Sequence, residues 1–172
     1  MDAGEFTAFF NSTVPALLRY VTRMSDADAA QDIVADTMAT MWSKRLDAPD
    51  SDESLRKLQS LAFRVAEGHL RNRRRGDRRR GMLFGKLGNS AASELVVRPD
   101  FTELLNSDVA VLDRLNSLKA TDRNVIALVI DGFTMKEIST ILDCSLSATK
   151  MRILRARKQL RAALGEEAWH DE

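Results

Sequence analysis

The stretch from Thr134 to Leu164, TMKEISTILDCSLSATKMRILRARKQLRAAL, constrains the rest of the chain most. Ile138, Ile141 and Leu142 stand at helical spacing, and Asp143-Cys144-Ser145 then breaks the period. Ser145 or Ser147 is placed to cap a second helix by accepting a backbone N–H bond. That helix carries Lys150, Arg152, Arg155, Arg157, Lys158 and Arg161, with no acidic residue before Glu166. Its Leu146, Ile153, Leu160 and Leu164 recur at intervals of seven or four, so the spacing predicts one buried stripe and a cationic remainder. A short helix, a tight turn and a longer basic helix make a helix-turn-helix, whose second helix enters the major groove of DNA.

Charge segregation extends the reading beyond that motif. The net charge is only +1, yet residues 71–80 hold seven Arg against one Asp, and residues 150–161 hold six basic residues and no acid. The other 150 residues carry 13 basic and 24 acidic side chains. Two cationic segments on an acidic body suggest two contacts with a polyanion and an acidic surface for something else. At 44% hydrophobic and 30% charged the chain reads as globular, and with 6% aromatics and few β-branched runs it reads as all-α. No apolar run approaches the roughly 20 residues of a membrane span, and the N-terminus lacks a signal-peptide pattern. Cys144 is the single cysteine, which excludes an internal disulfide, and no Cys/His cluster suggests zinc. A cytoplasmic protein is expected.

Along the chain, Phe6, Phe9 and Phe10 share a face of an opening helix that Ser12-Thr13-Val14-Pro15 is expected to interrupt. Asp26 or Asp28 starts a helix to about Lys44, with Ala30, Ile33, Val34, Thr37, Met41 and Trp42 as its buried stripe. Asp28, Asp32 and Asp36, four residues apart, form an acidic ridge on another face. Like charges at that spacing destabilise a helix, so the ridge calls for a partner surface. Three carboxylates on one helix with no nearby His make a poor metal cage. A long helix from about Glu53 to Arg75 buries Leu55, Leu58, Leu61, Ala62, Val65 and Leu70 and ends in RNRRRGDRRRG, which suits phosphates. His69 lies on that helix and reads as structural. Residues 81–100 read as a flexible linker. A second helical unit follows, opening near Phe101 with Leu104, Leu105, Val109, Val111, Leu112 and Leu115. Thr121-Asp122 is expected to cap the next helix, which Asp131-Gly132 closes. The expectation is two small helical domains, 1–80 and 101–172, joined by that linker.

This order of features resembles the extracytoplasmic-function class of bacterial sigma factors. Residues 31–42, QDIVADTMATMW, look like that family's region 2.2; LQSLAFRVAEGHLRNRRR looks like regions 2.3–2.4, and residues 115–164 look like region 4. The resemblance implies a non-catalytic initiation subunit, without cofactor or metal, that binds core RNA polymerase and directs promoter-specific transcription. Its implied partners are the polymerase β′ clamp helices and β flap, promoter DNA and, in some members, an anti-sigma factor. Carried over by position, Asp32, Ala35, Asp36 and Ala39 face polymerase. Arg64, Arg71, Arg73, Arg74 and Arg75 meet the −10 element or its backbone. Ser147, Lys150, Met151, Leu154 and Arg155 meet the −35 bases and Arg152 the backbone.

Several positions depart from the family's usual pattern. Ser147-Ala148-Thr149 stands where a Gly-Thr-Val run is common, and Met151 and Leu154 replace a small polar residue and an aromatic or His. A Trp common near Lys57 is missing, Phe63-Arg64 replaces an Arg-Asn pair, and Gly68 replaces a polar residue. Met151 and Leu154 suit thymine methyl groups, or a protein partner when DNA is absent. Two other functions compete. A stand-alone helix-turn-helix regulator with an N-terminal sensing or dimerisation domain leaves the ridge and the arginine run unexplained. A metal-dependent nuclease on Asp28, Asp32 and Asp36 lacks an accompanying base.

Overall fold

Packing, more than local propensity, decides where the helices of the first unit run. The structure, a computed structural model, describes residues 1–84 and 118–164. The chain divides into two compact units, Met1–Arg98 and Pro99–Glu172. The described part of the first unit holds three helices: α1 (Ala3–Thr22), α2 (Ala27–Ser43) and α3 (Asp52–Phe84). The described part of the second holds α4 (Ala120–Ile130), α5 (Met135–Ile141) and α6 (Leu146–Leu164). No strand occurs among the described residues, in keeping with an all-α protein. The expected linker beyond residue 84, the expected helix from Phe101 and the acidic tail lie outside the described residues.

Pro15 does not interrupt α1, contrary to expectation. Phe9, Thr13, Leu17 and Tyr20 form one buried stripe that crosses the proline, while Pro15 itself is exposed. A missing N–H is least harmful on the solvent side, where a curved helix lengthens its bonds anyway, and burial on the opposite side holds the axis. An Asp2–Glu5 capping box starts the helix.

Asp26 caps α2, its Oδ1 accepting from Ala29 N–H at 2.8 Å. The helix buries Ala30, Ile33, Val34, Thr37, Met38 and Met41. Trp42 departs from the expected stripe: it is 47% exposed and meets Phe6 edge-on at 4.9 Å. The Ala29 bond holds the Asp26 carboxyl below the usual carboxylate range; partial burial opposes this and Arg73 assists it. Asp26→Ala is expected to cost the first unit about 1 kcal/mol, read as a lower urea midpoint. A depressed folded-state pKa gives stability that is present above the unfolded value and lost as pH falls through the folded one. Wild type and variant therefore converge below about pH 4.

The core side of α3 is Ala62, Phe63, Ala66, Glu67 and Leu70, whereas Leu55, Leu58, Leu61 and Val65 are only half-buried. Phe63 lies under Tyr20, ring centroids 5.3 Å apart. The buried Glu67 accepts from Tyr20 Oη at 3.1 Å. α3 runs past its expected end at Arg75 because arginine is a strong helix former and each of the two glycines beyond it, Gly76 and Gly81, costs only about 1 kcal/mol.

In the second unit, Leu118, Ile126 and Ala156 pack together with Leu160 against them. α4 closes on a left-handed Gly132 (φ 77°), with Phe133 N–H bonding to Leu128 C=O and Gly132 N–H to Val129 C=O. Thr134 and Glu137 form a capping box that starts α5. At the far end of α5, Asp143 takes the left-handed position (φ 51°), and Cys144 N–H reaches Ser139 C=O. Ser145 Oγ then accepts from Ala148 N–H at 3.1 Å and opens α6. The helix-turn-helix is thus set by three consecutive caps.

Candidate nucleic-acid interface

On α6, Thr149 and Ala156 are buried and Ile153 and Leu160 half-buried, which fixes the rotation of the helix on its unit. Leu146, expected in the stripe, is exposed. Directly opposite the buried stripe stand Ser147, Met151, Leu154 and Lys158, spaced four, three and four residues apart, with Lys150 on their flank. All five are exposed; Met151 is 64% and Leu154 51% accessible. Arg152 is half-buried at the side of the helix.

Arg155, expected among the base readers, is turned toward the protein. Its Nε donates to Asp122 Oδ2 at 2.8 Å and its Nη2 to Asp122 Oδ1 at 2.6 Å. The Asp122 side chain is 0% exposed and the Arg155 side chain 52%. Asp122, the third residue of α4, does not cap that helix as expected, and the residue at the cap position, Lys119, makes no side-chain cap bond either. The carboxylate is spent on the arginine 33 positions later. Nothing in the helical period distinguishes such an aspartate from an ordinary first-turn acid, which is why sequence reasoning missed it.

The basic end of α3 is similarly divided. Arg64 and Arg75 are exposed and Arg71 half-buried. Arg73 Nη2 stands 3.2 Å from Asp26 Oδ2, and Arg74 Nη1 lies 3.8 Å from the buried Glu67 carboxylate. Two of the five arginines expected at DNA are therefore also paired within the unit, Arg73 to the cap of α2 and Arg74 to a carboxylate earlier on α3 itself.

A third surface lies on α2. Asp28, Asp32, Ala35, Ala39 and Trp42 follow one another at four-, three-, four- and three-residue spacing, with Asp36 beside them, and all are exposed. The stripe is acidic at one end, flat and small at its centre, and aromatic at the other, where Phe6 adjoins Trp42 and Phe10 adjoins Phe6. A second helix can approach the two alanines closely, with basic side chains beside the aspartates. Among the described residues no group of three or more His, Cys, Asp or Glu side chains is placed to hold a metal ion. Nor is any described helix long and apolar enough to cross a membrane.

Known proteins give these surfaces a context. Residues 108–160 match the family model of sigma-70, region 4. No curated protein matches the chain by sequence. Among solved structures the chain is similar to the sigma factor RpoE of Bartonella quintana, crystallised with the anti-sigma factor NepR. That likeness has a TM-score of 0.73 at 22% identity and covers 95% of this chain and 98% of that one. It is also similar to CnrH, solved in complex with the cytosolic domain of CnrY. Here the TM-score is 0.61 at 22% identity, over 95% of this chain and 89% of that one. Residues 108–160 are thus similar to sigma-70 region 4, and the chain shares the two-unit, all-α fold of a solved sigma factor.

Proposed function

We propose that the chain works as a sigma factor: it binds core RNA polymerase and directs promoter-specific initiation, with no catalysis of its own. The observation that carries this reading is the pairing of a region 4 helix-turn-helix with an exposed acidic helix face in the other unit. A DNA-binding regulator needs the first feature and has no use for the second. In this reading Asp32, Ala35, Asp36 and Ala39 seat the β′ clamp helices, and region 4 also meets the β flap. Ser147, Lys150, Met151 and Leu154 face the −35 bases, with Arg152 on the backbone. Arg64, Arg71 and Arg75, with Arg73 and Arg74 beside them, meet the −10 strand and its phosphates, to which arginine is suited. Since RpoE was crystallised with an anti-sigma factor, a protein inhibitor is a fitting further partner.

Run-off transcription with core polymerase on a randomised promoter library tests the function. Failure of the purified chain to bind core polymerase would sink it. Asp32→Lys tests the α2 face, because reversing an exposed charge leaves the fold intact but sets it against a basic partner. Polymerase binding is expected to weaken about ten-fold or more, with an unchanged circular dichroism spectrum. Undiminished binding would remove α2 from the interface.

A further inference from the structure

The groove-facing side of α6 is apolar at its centre, and the arginine expected to read a base there is engaged elsewhere. Guanine is read by a cationic fork on its O6 and N7 edge. Arg155 has given Nε and Nη2, one side of its fork, to Asp122. On the face opposite the buried stripe the two large central side chains are Met151 and Leu154, both more than half exposed. Thymine is the base that presents a methyl group in the major groove, and an apolar side chain is its complement.

We infer that Met151 and Leu154 read thymine through its 5-methyl group, so that the upstream element this protein selects carries thymine at the base pairs they face. The inference rests on the DNA-reading role proposed above. Lys150, Arg157 and Lys158 are exposed around the two apolar side chains, and no acid lies between residues 150 and 161. That cationic rim suits phosphates on either side of a groove and opposes an apolar protein surface. Met151 and Leu154 are three residues apart, about 4.5 Å along the helix axis. That is a little more than the roughly 3.4 Å step between bases, so the two contacts fall on neighbouring base pairs. Methionine's unbranched chain can adapt to a methyl on either strand.

Deoxyuridine is the probe, since it keeps every hydrogen-bonding group of thymidine and lacks only the methyl. The full chain, assembled with core polymerase, first selects promoters from duplexes randomised in the upstream region. Each thymidine of a selected upstream element is then replaced singly by deoxyuridine. One or two positions are expected at which the methyl's loss weakens holoenzyme binding about three- to five-fold, the value of one buried methyl. At those positions Met151→Ala or Leu154→Ala should bind thymidine and deoxyuridine duplexes equally. Both side chains are exposed, so neither variant threatens the fold. No deoxyuridine effect in the upstream element overturns the inference. So does an effect that persists in both variants, which would leave this face to a protein partner. A chain that forms no holoenzyme at all defeats the proposed function itself, a result distinct from either.

Discussion

Phe63→Ala is expected to remove about 3–5 kcal/mol from the stability of the first unit. Phe63 is buried to within 1% of its surface and lies against the fully buried Tyr20. Truncation opens a cavity under that ring, beside the buried Glu67 that Tyr20 donates to. Urea unfolding of the full chain, followed by circular dichroism, measures the loss as an early transition absent from wild type. Phe63→Leu should keep most of the stability, within about 1.5 kcal/mol of wild type. The experiment decides a functional question, because position 63 belongs to the segment that the sigma resemblance sets against the −10 element. A Phe63→Ala protein with a wild-type unfolding midpoint but no promoter opening would place the ring on DNA instead of in the core. The structure predicts the reverse: promoter opening fails only where the first unit has unfolded.

Position 63 also shows where sequence reading holds and where it gives out. The helical period of α2 and the Asp26 cap are local properties, legible from residues a turn apart, and both appear as expected. The turn between α5 and α6 is legible for the same reason, since Asp143, Cys144 and Ser145 act within a few residues of one another. Long-range choices are not. Along α3 the expected Leu55, Leu58, Leu61 and Val65 are only half-buried, and the buried phase through Phe63 and Glu67 is decided by Tyr20 on α1, more than 40 residues earlier. Trp42 fits the α2 stripe by spacing but is drawn to the surface by Phe6. Pro15 reads as a break by its own chemistry, and the stripe on either side of it overrides that. For the candidate sites, exposure of Asp32, Asp36, Lys150 and Met151 follows from the same local periods. The engagement of Arg73 and Arg155 depends on acids brought in from distant positions, which no window on the sequence contains.

Arg155 separates two mechanisms with opposite signatures. A base reader replaced by alanine relaxes selection at one base pair and leaves the protein as stable as before. An anchor replaced by alanine strands a carboxylate that is wholly inside the second unit, lowers its melting temperature by several degrees, and weakens binding to all promoters alike. The geometry favours the anchor. Two parallel bonds to Asp122 join the first turn of α4 to the middle of α6, fixing how far Met151 and Leu154 are rotated toward the groove. Arg155→Lys keeps the charge but not the fork, so it should fall between wild type and alanine in melting temperature. Removing both partners together, as Asp122→Leu with Arg155→Met, leaves no orphaned charge and should recover most of the loss. Promoter selection by that double variant then isolates the side chain's role on DNA. If its preferred upstream element matches wild type at every position, Arg155 holds the recognition helix and reads nothing. If one base pair alone loses its preference while stability is restored, the guanidinium leaves Asp122 on binding, and the anchor model fails.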